Sequence, residues 1–485
     1  MKYLFPFSLF PLALSLFSLN TVAQPIIRDI QTSTPEPRIQ EAQAQPRAIS
    51  PLKVSPKPLR FAVAELRENK ALTEQVLLLA IEQKNPVAIE KAVNIYRTFA
   101  DHDPLLLLFA QGQFAKLQGK TDQAVKYYRE LIALEPELDA VRLELAMALF
   151  EDQQNDAAKA QFEQLRSRTG LPNSIKQHIH AYLEALQKRE AWQINLSAHY
   201  LREKNVNNAS NAPYIDNTVI KGLQKNPSML PQKAHGMSYQ LDISRQINVK
   251  HQHYLHIENN LNGKWFWDNH QYDDIFNRTL VGYAYKNASQ EWQVLPFYQR
   301  QWYGKQRYNK SMGLRLEHRY WLTPSVQLTS VLEQGHHRYH DNPSLNGKNQ
   351  LFSQTLFWQQ QPTQFFHMGV DINRTKTAEK QYSNLQKTLR LGWGRSWQWG
   401  ISSRVNVSIS QRQYRDEAKL SGWLPLGKVR EDKIYQAQLT LWKRDWYLWQ
   451  ITPKLQLSWK TQQSNIPSLY QYQEKNVNVI FEKRF

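Results

Sequence analysis

Beyond residue 192 the chain alternates apolar and polar side chains in segments of about ten residues, and this period of two limits its folds more than any other feature. Ile401, Ser403, Val405, Val407 and Ile409 fall on one strand face, with Ser402, Arg404, Asn406, Ser408 and Ser410 on the other. The same alternation sets Met237, Tyr239, Leu241 and Ile243 against Ser238, Gln240, Asp242 and Ser244. It also sets Trp449, Ile451, Leu455, Leu457 and Trp459 against Gln450, Thr452, Lys454, Gln456 and Ser458. The pattern predicts fourteen strands, beginning near positions 191, 236, 251, 276, 291, 310, 325, 349, 364, 383, 399, 431, 447 and 474. Gaps after odd strands read as mostly long (202–235, 264–275, 303–309, 338–348, 374–382, 415–430, 461–473), those after even strands as short (248–249, 287–290, 323–324, 361–363, 445–446). A sandwich has no reason to sort its loops by parity, whereas a transmembrane barrel has short turns on one side and long loops on the other.

Composition sharpens this. All 15 Trp lie between Trp192 and Trp459, and Trp397, Trp399, Trp442, Trp446, Tyr447 and Trp449 gather near strand ends, as interfacial girdles require. Residues 1–190 hold 23 basic and 22 acidic residues, while 191–485 hold 38 and 20. The excess cations are dispersed, with no compact patch or motif for nucleic acid. Without any Cys the chain has no disulfide and no thiol nucleophile. If the apolar faces meet lipid, the charges Asp242, Glu258, Arg315, Glu317, Arg319, Glu333, Asp371, Arg390, Arg404 and Lys454 point into the lumen, because an Arg on the lipid side at the midplane costs about 2–4 kcal/mol. Mutual pairing inside the barrel is their first reading, and contact with a substrate the second. The last strand ends in Phe481 and Phe485, the form that barrel-insertion machinery reads. Lys483 is read as snorkelling to the headgroups.

The first residues, an apolar stretch from Leu4 to Leu19 followed by Thr21-Val22-Ala23, read as a cleavable export signal over 1–23. No later stretch reaches the roughly 18 apolar residues of a spanning helix. Residues 24–58 carry seven prolines among Gln, Ala and Ser and read as a disordered tether.

Residues 59–190 are rich in Ala, Leu, Glu, Gln and Lys at spacings of three and four, which predicts helices. Gly112, Ala124, Tyr128 and Pro136 stand at the offsets of a tetratricopeptide unit. Ala146, Ala158 and Phe162 repeat the pattern downstream, and Ala80, Ala92, Tyr96 and Pro104 upstream. Small residues let paired helices approach, an aromatic ring fills the groove beside them, and proline is read as ending the second helix. His178 and His180, two apart on a helix, point to different faces. His251 and His253 are read as sharing one strand face; with His256, and with His336, His337 and His340, they invite a metal reading, but no third ligand is in view. No catalytic residues, metal site or cofactor are assigned.

The predicted fold is therefore multidomain α + β: periplasmic tetratricopeptide-like helical repeats, then a C-terminal 14-stranded antiparallel transmembrane β-barrel over 191–485. This order resembles the Slam family, the surface lipoprotein assembly modulators of Gram-negative outer membranes. The telling stretches are residues 192–211, with Asn205-Val206-Asn207-Asn208-Ala209, and the terminal residues 476–485. The resemblance implies a non-enzymatic outer-membrane translocon that helps a client surface lipoprotein, or a related secreted haem- or metal-acquisition protein, reach the cell surface. The partners it implies are that client, outer-membrane lipid and lipopolysaccharide, and the barrel-assembly machinery. An exopolysaccharide export barrel is the competing reading, with a passive porin and an enzyme barrel behind it.

Overall fold

A computed structural model describes residues 63–216, 222–446 and 448–485; the expected export signal (1–23), the expected tether (24–58) and Tyr447 lie outside them. Eight helices come first: α1 (Val63–Glu68), α2 (Lys70–Glu82), α3 (Pro86–Tyr96), α4 (Pro104–Leu117), α5 (Thr121–Leu134), α6 (Asp139–Glu151), α7 (Asn155–Arg166) and α8 (Asn173–Glu190). Asn69, Asn85 and Asp103 each accept a hydrogen bond from a backbone N–H of the first turn that follows, which satisfies donors the helix leaves free. Pro104 is the first residue of α4 and so opens a helix, where the sequence reading had it close one. At that position proline's missing N–H costs nothing.

The helices pack in the pairs α2/α3, α4/α5 and α6/α7. Ala80, Ala92 and Tyr96 are buried in the first pair, Gly112, Ala124 and Tyr128 in the second, and Ala146, Ala158 and Phe162 in the third. Gly112 shows why a small residue stands there: a Cβ on it would lie 2.4 Å from Cε1 of Tyr128. Tyr96 adds a polar tie, its hydroxyl donating to Glu74 (2.7 Å) and accepting from the Asp103 N–H (2.8 Å). Phe162 stacks on Tyr182 of α8 at 4.8 Å.

The remaining strands are β1 (Gln193–Glu203), β2 (Tyr214–Ile215), β3 (Leu223–Gln224), β4 (Ala234–Lys250), β5 (His253–Phe266), β6 (Asp274–Lys286), β7 (Gln290–Tyr303), β8 (Gln306–Thr323), β9 (Val326–Tyr339), β10 (Gly347–Gln361), β11 (Gln364–Thr377), β12 (Asn384–Ser396), β13 (Ile401–Leu420), β14 (Leu424–Lys443), β15 (Ile451–Ser464) and β16 (Tyr472–Arg484). β1 and β4–β16 form one closed antiparallel barrel of fourteen strands. β2 and β3 pair separately in the long β1–β4 connection, which packs through Ile215 against Leu426 and Ile466. Closure joins β1 to β16 through five registered pairs, from Asn195–Arg484 to His199–Ile480, whereas β1 and β4 share eleven. No described helix is long and apolar enough to cross a membrane, and the strands carry their apolar residues outward: Leu314, Leu332, Phe352, Val370, Leu391 and Val479 are all exposed.

The sorting of loops by parity holds only in part. The β7–β8 connection is two residues, Gly304 and Lys305, both with positive φ, which matches the twist of a tight hairpin. The β13–β14 connection is residues 421–423, with Ser421 and Gly422 at positive φ. Here the sequence reading places a loop over 415–430, yet pairing continues through Glu417–Val429 and Leu420–Leu424. Outside the lipid a strand needs no apolar face, so the alternation that signals it fades while its backbone bonds persist. On the other side, 444–450 is longer than the two-residue turn the sequence suggests. Trp397, Trp399, Trp446 and Trp449 are exposed at the 397–400 and 444–450 turns, and Trp442 lies near the end of β14.

Candidate functional site: lumen and repeat–barrel junction

Each barrel strand presents alternate residues inward, and on β4–β9 those residues form one connected set of charges. Glu333 (β9) accepts from Arg278 (β6) at 2.7 Å and from Arg315 (β8) at 3.0 Å. Arg315 also contacts Glu317 at 3.2 Å, Glu317 accepts from Arg319 at 2.5 Å, and Arg319 donates to Glu291 (β7) at 2.7 Å. Lys286 reaches Glu291 at 3.3 Å and also donates to Gln246 of β4. Gln246 donates to Nδ1 of His256 at 3.0 Å, and the ring's Nε2 faces Glu258, also at 3.0 Å. Asp242 lies beside this set, accepting from Gln240 (2.7 Å) and Asn260 (3.0 Å). Burial of so many ions is tolerable because each meets an opposite charge or a hydrogen-bonding group, which offsets the solvation lost.

Four of the ten sequence candidates stand apart from that set. Arg390 (β12) grips Asp371 (β11) with both carboxylate oxygens, at 2.6 and 2.8 Å, and reaches Ser353 and Thr355 of β10. Lys454 (β15) pairs with Glu482 (β16) at 2.7 Å. Arg404 (β13) lies 5.9 Å from the Phe365 ring, and its Nε has no hydrogen-bond partner among the described residues. It borders a cavity of about 360 Å³ that His367, Asn406, Gln438, Lys460 and Glu474 also line, between β11 and β16.

Sequence reasoning missed Arg278, Lys286 and Glu291, three members of the ladder. Arg278 shares its face of β6 with buried Phe276 and Leu280, so apolar residues there point inward and the simple assignment fails. The guanidinium lies 4.2 Å from the Phe297 ring. On the outer face of the same strand Asn277 and Thr279 accept from Asn259 of β5, at 3.3 and 2.8 Å.

The histidines do not converge. His251 is in the β4–β5 turn with φ 52°, not on a strand face with His253, because the hairpin needs a left-handed residue there. His337 is buried, with neither ring nitrogen hydrogen-bonded among the described residues, while His336 and His340 are exposed.

A second feature is the junction. The loop joining α6 to α7, with the end of α8, docks on the hairpin turns of β4–β7. Asp152 accepts from Gln252 and Gln154 at 2.7 Å each, Tyr254 donates to the Gln153 carbonyl at 2.5 Å, and Asn248 accepts from the Asp156 N–H at 3.1 Å. Arg245 donates to the Glu190 carbonyl at 2.9 Å. Arg189 braces the loop from within: its guanidinium lies 3.5 Å from the Phe150 ring and donates to the Phe150 carbonyl (2.9 Å) and to Asn155 (3.2 Å). Burial lowers the Arg189 pKa to about 10. Burial also raises the carboxyl of Glu151, against the pull of Lys116, and that of Asp152, against its amide donors. Only Ala191 and Trp192 separate α8 from β1. The contacts from Asp152, Gln153 and Asp156 reach residues 92 to 101 positions away and obey no period, so no sequence pattern announces them.

Residues 192–485 match the family described as surface lipoprotein assembly modifier, and residues 59–162 match the N-terminal TPR repeats of the same family. A surface lipoprotein assembly modifier of Pasteurella multocida (strain Pm70) is 33% identical over 444 residues, covering 88% of this chain and 86% of the relative. Surface lipoprotein assembly modifier 2 of Haemophilus influenzae (strain ATCC 51907 / DSM 11121 / KW20 / Rd) is 31% identical and covers 100% of this chain and 99% of its own. A hemophilin secretion modulator of Acinetobacter baumannii is 24% identical, covering 85% of each chain. Among solved structures, the outer-membrane channel DcaP of Acinetobacter baumannii aligns with a TM-score of 0.35 at 7% identity, covering 61% of this chain and 96% of that one.

Proposed function

Because this chain belongs to the surface lipoprotein assembly modifier family, we propose that it is an outer-membrane translocon, in which the repeats receive a client surface lipoprotein or a related secreted haem-binding protein and the barrel carries it to the cell surface. The observation that carries this reading is the junction: Asp152, Gln153 and Asp156 hold the repeat stack directly on the turns of β4–β7. A repeat stack offers a concave surface but no passage, and a barrel offers passage with little selectivity, so their rigid coupling links capture to crossing. The relatives' names describe assembly and secretion, not catalysis.

In this reading residues 1–23 direct export, 24–58 tether the mature start, and 59–190 form the periplasmic unit ahead of the barrel at 191–485. The turns that carry the repeats face the periplasm, and the opposite end of the barrel faces outward. The ten inward charges from Asp242 to Lys454 line the route. Exposed Phe481 and Phe485 on the outward side of β16 serve recognition by the barrel-assembly machinery. Outer-membrane lipid and lipopolysaccharide surround the apolar face.

The test is surface display of a candidate lipoprotein co-expressed with the full chain, read by protease access on intact cells. Display should require the chain, and a version lacking residues 63–190 should insert but display little client. Full display from that shortened version would show that the repeats are dispensable and the coupling wrong.

A further inference from the structure

On β7–β12 the acidic residues Glu291, Glu317, Glu333 and Asp371 all face inward and are paired there. The outward faces of these six strands carry no acid at all, yet near the end away from the repeats they carry Arg300, Lys310, Arg338, Lys348, Lys376 and Arg374. Their registers place like charges directly across from one another: Arg300 faces Lys310, Lys310 faces Arg338, and Lys348 faces Lys376. Arg374 stands one step away, opposite Gln350. Among the described residues no carboxylate forms an ion pair with any of the six, and the Nε of Arg374 is buried without a partner. Cations opposed across adjacent strands repel, so this arrangement lowers stability unless an anion lies between them.

The height of the belt identifies the anion. Within two to six residues along the same strands the outward side chains become apolar, with Tyr298, Met312, Leu314, Leu332, Phe352 and Ile372 exposed. The cations therefore sit at the upper edge of the lipid-facing band, where headgroups lie, and not in the lumen or at loop tips where a protein client would meet them. Long Lys stems can lie along the apolar band while their ammonium groups reach upward, and Arg guanidinium groups pair well with phosphate.

We propose that this belt is a binding site for the phosphorylated glycolipid headgroups of the outer leaflet, with Lys310, Arg338, Lys348 and Lys376 as its main phosphate ligands. Two or more phosphates on one headgroup can neutralise several cations of the belt at once. A single charge on a glycerophospholipid satisfies one cation and leaves its cross-strand partner repelled.

The experiment titrates the detergent-solubilised full chain with bisphosphorylated lipid A, its dephosphorylated counterpart, phosphatidylglycerol and inorganic phosphate, with binding read by native mass spectrometry. The bisphosphorylated glycolipid should bind at least about tenfold more tightly than either other lipid, and millimolar inorganic phosphate should not displace it. Lys310→Gln/Arg338→Gln/Lys348→Gln/Lys376→Gln should abolish that preference while keeping heat-modifiable mobility. If the quadruple variant fails to fold, Lys348→Gln/Lys376→Gln should weaken the preference and Lys348→Arg/Lys376→Arg should retain it. Equal binding of the dephosphorylated glycolipid or of phosphatidylglycerol, full displacement by inorganic phosphate, or an unchanged preference in the Gln variants would each overturn the assignment.

Discussion

On one side of the lumen, Arg278, Arg315 and Arg319 are locked against Glu333, Glu317 and Glu291, and the repeat stack docks on the turns beneath. On the other side, Arg404 and His367 border a cavity of about 360 Å³, and none of the junction contacts described here falls on β11–β16. The same residue types thus hold different positions: charges that meet each other fill space and fix strand register, whereas Arg404, in no carboxylate pair among the described residues, faces free volume. The barrel is built as a braced wall carrying the repeats and a second wall that borders the cavity. Sequence alternation assigns both sets to the lumen but does not tell the sides apart, since a period of two records direction and not partners.

The sharpest way to break this contrast is to remove an anion from the braced wall. Glu333→Ala strands the Arg278 and Arg315 guanidinium groups without their shared carboxylate. Removing one partner of a buried ion pair costs about 3–5 kcal/mol. The expected outcome is a clear drop in the midpoint of denaturant unfolding, followed by the loss of heat-modifiable mobility. A midpoint within error of the parent protein would mean that the ladder does not support that wall.

A smaller effect separates the braced wall from the unit it carries. Burial holds the folded-state carboxyl of Glu151 above its ordinary value, so between the two values the folded repeats bind more protons than the unfolded chain. The stability this group contributes is complete below the ordinary carboxyl range and is lost as pH rises through the raised folded value. Helix melting of the full chain in detergent should therefore fall in temperature from pH 4 toward neutrality, and Glu151→Gln should flatten that fall. An unchanged slope in the Gln variant would assign the pH response to other groups.

The cavity wall gives the smallest change in stability. Arg404→Gln removes a cation from beside the cavity without breaking a carboxylate pair, so the unfolding midpoint should shift by no more than about 0.5 kcal/mol equivalent. Single-channel conductance in a planar bilayer should nevertheless lose part of its anion preference. A large destabilisation would place Arg404 with the structural charges and remove the contrast between the walls.

How far these features can be read in advance depends on their period. The strand count and the inward direction of Asp242, Arg315, Glu333 and Arg390 follow from alternation, because lipid on one face penalises every polar residue placed there. The small residues opposite Tyr96, Tyr128 and Phe162 follow from the recurrence of the helix pairs. Arg278 escapes because Phe276 and Leu280 accompany it inward, an apolar patch in the lumen that lipid exposure does not require. The β7–β8 turn escapes because Lys305 adopts a left-handed conformation that its side chain does not advertise. The junction escapes because Asp152 and Gln252 are polar residues of unremarkable loops until the fold brings them together.

The closing contact between β1 and β16 has a consequence in chain entropy. It joins residues about 290 positions apart, from Asn195 to Arg484, while the other neighbouring strands, β1 and β4 with their long connection apart, are joined by hairpins. Each doubling of a closed loop adds roughly 0.6 kcal/mol of entropic cost, so this ring closure costs about 2 kcal/mol more than closing a hairpin of some thirty residues. In return it gains five registered pairs, against twelve between β15 and β16. The least rewarded pairing in the barrel therefore carries the largest closure cost, so Asn195–His199 should be the last seam to close and the first to open.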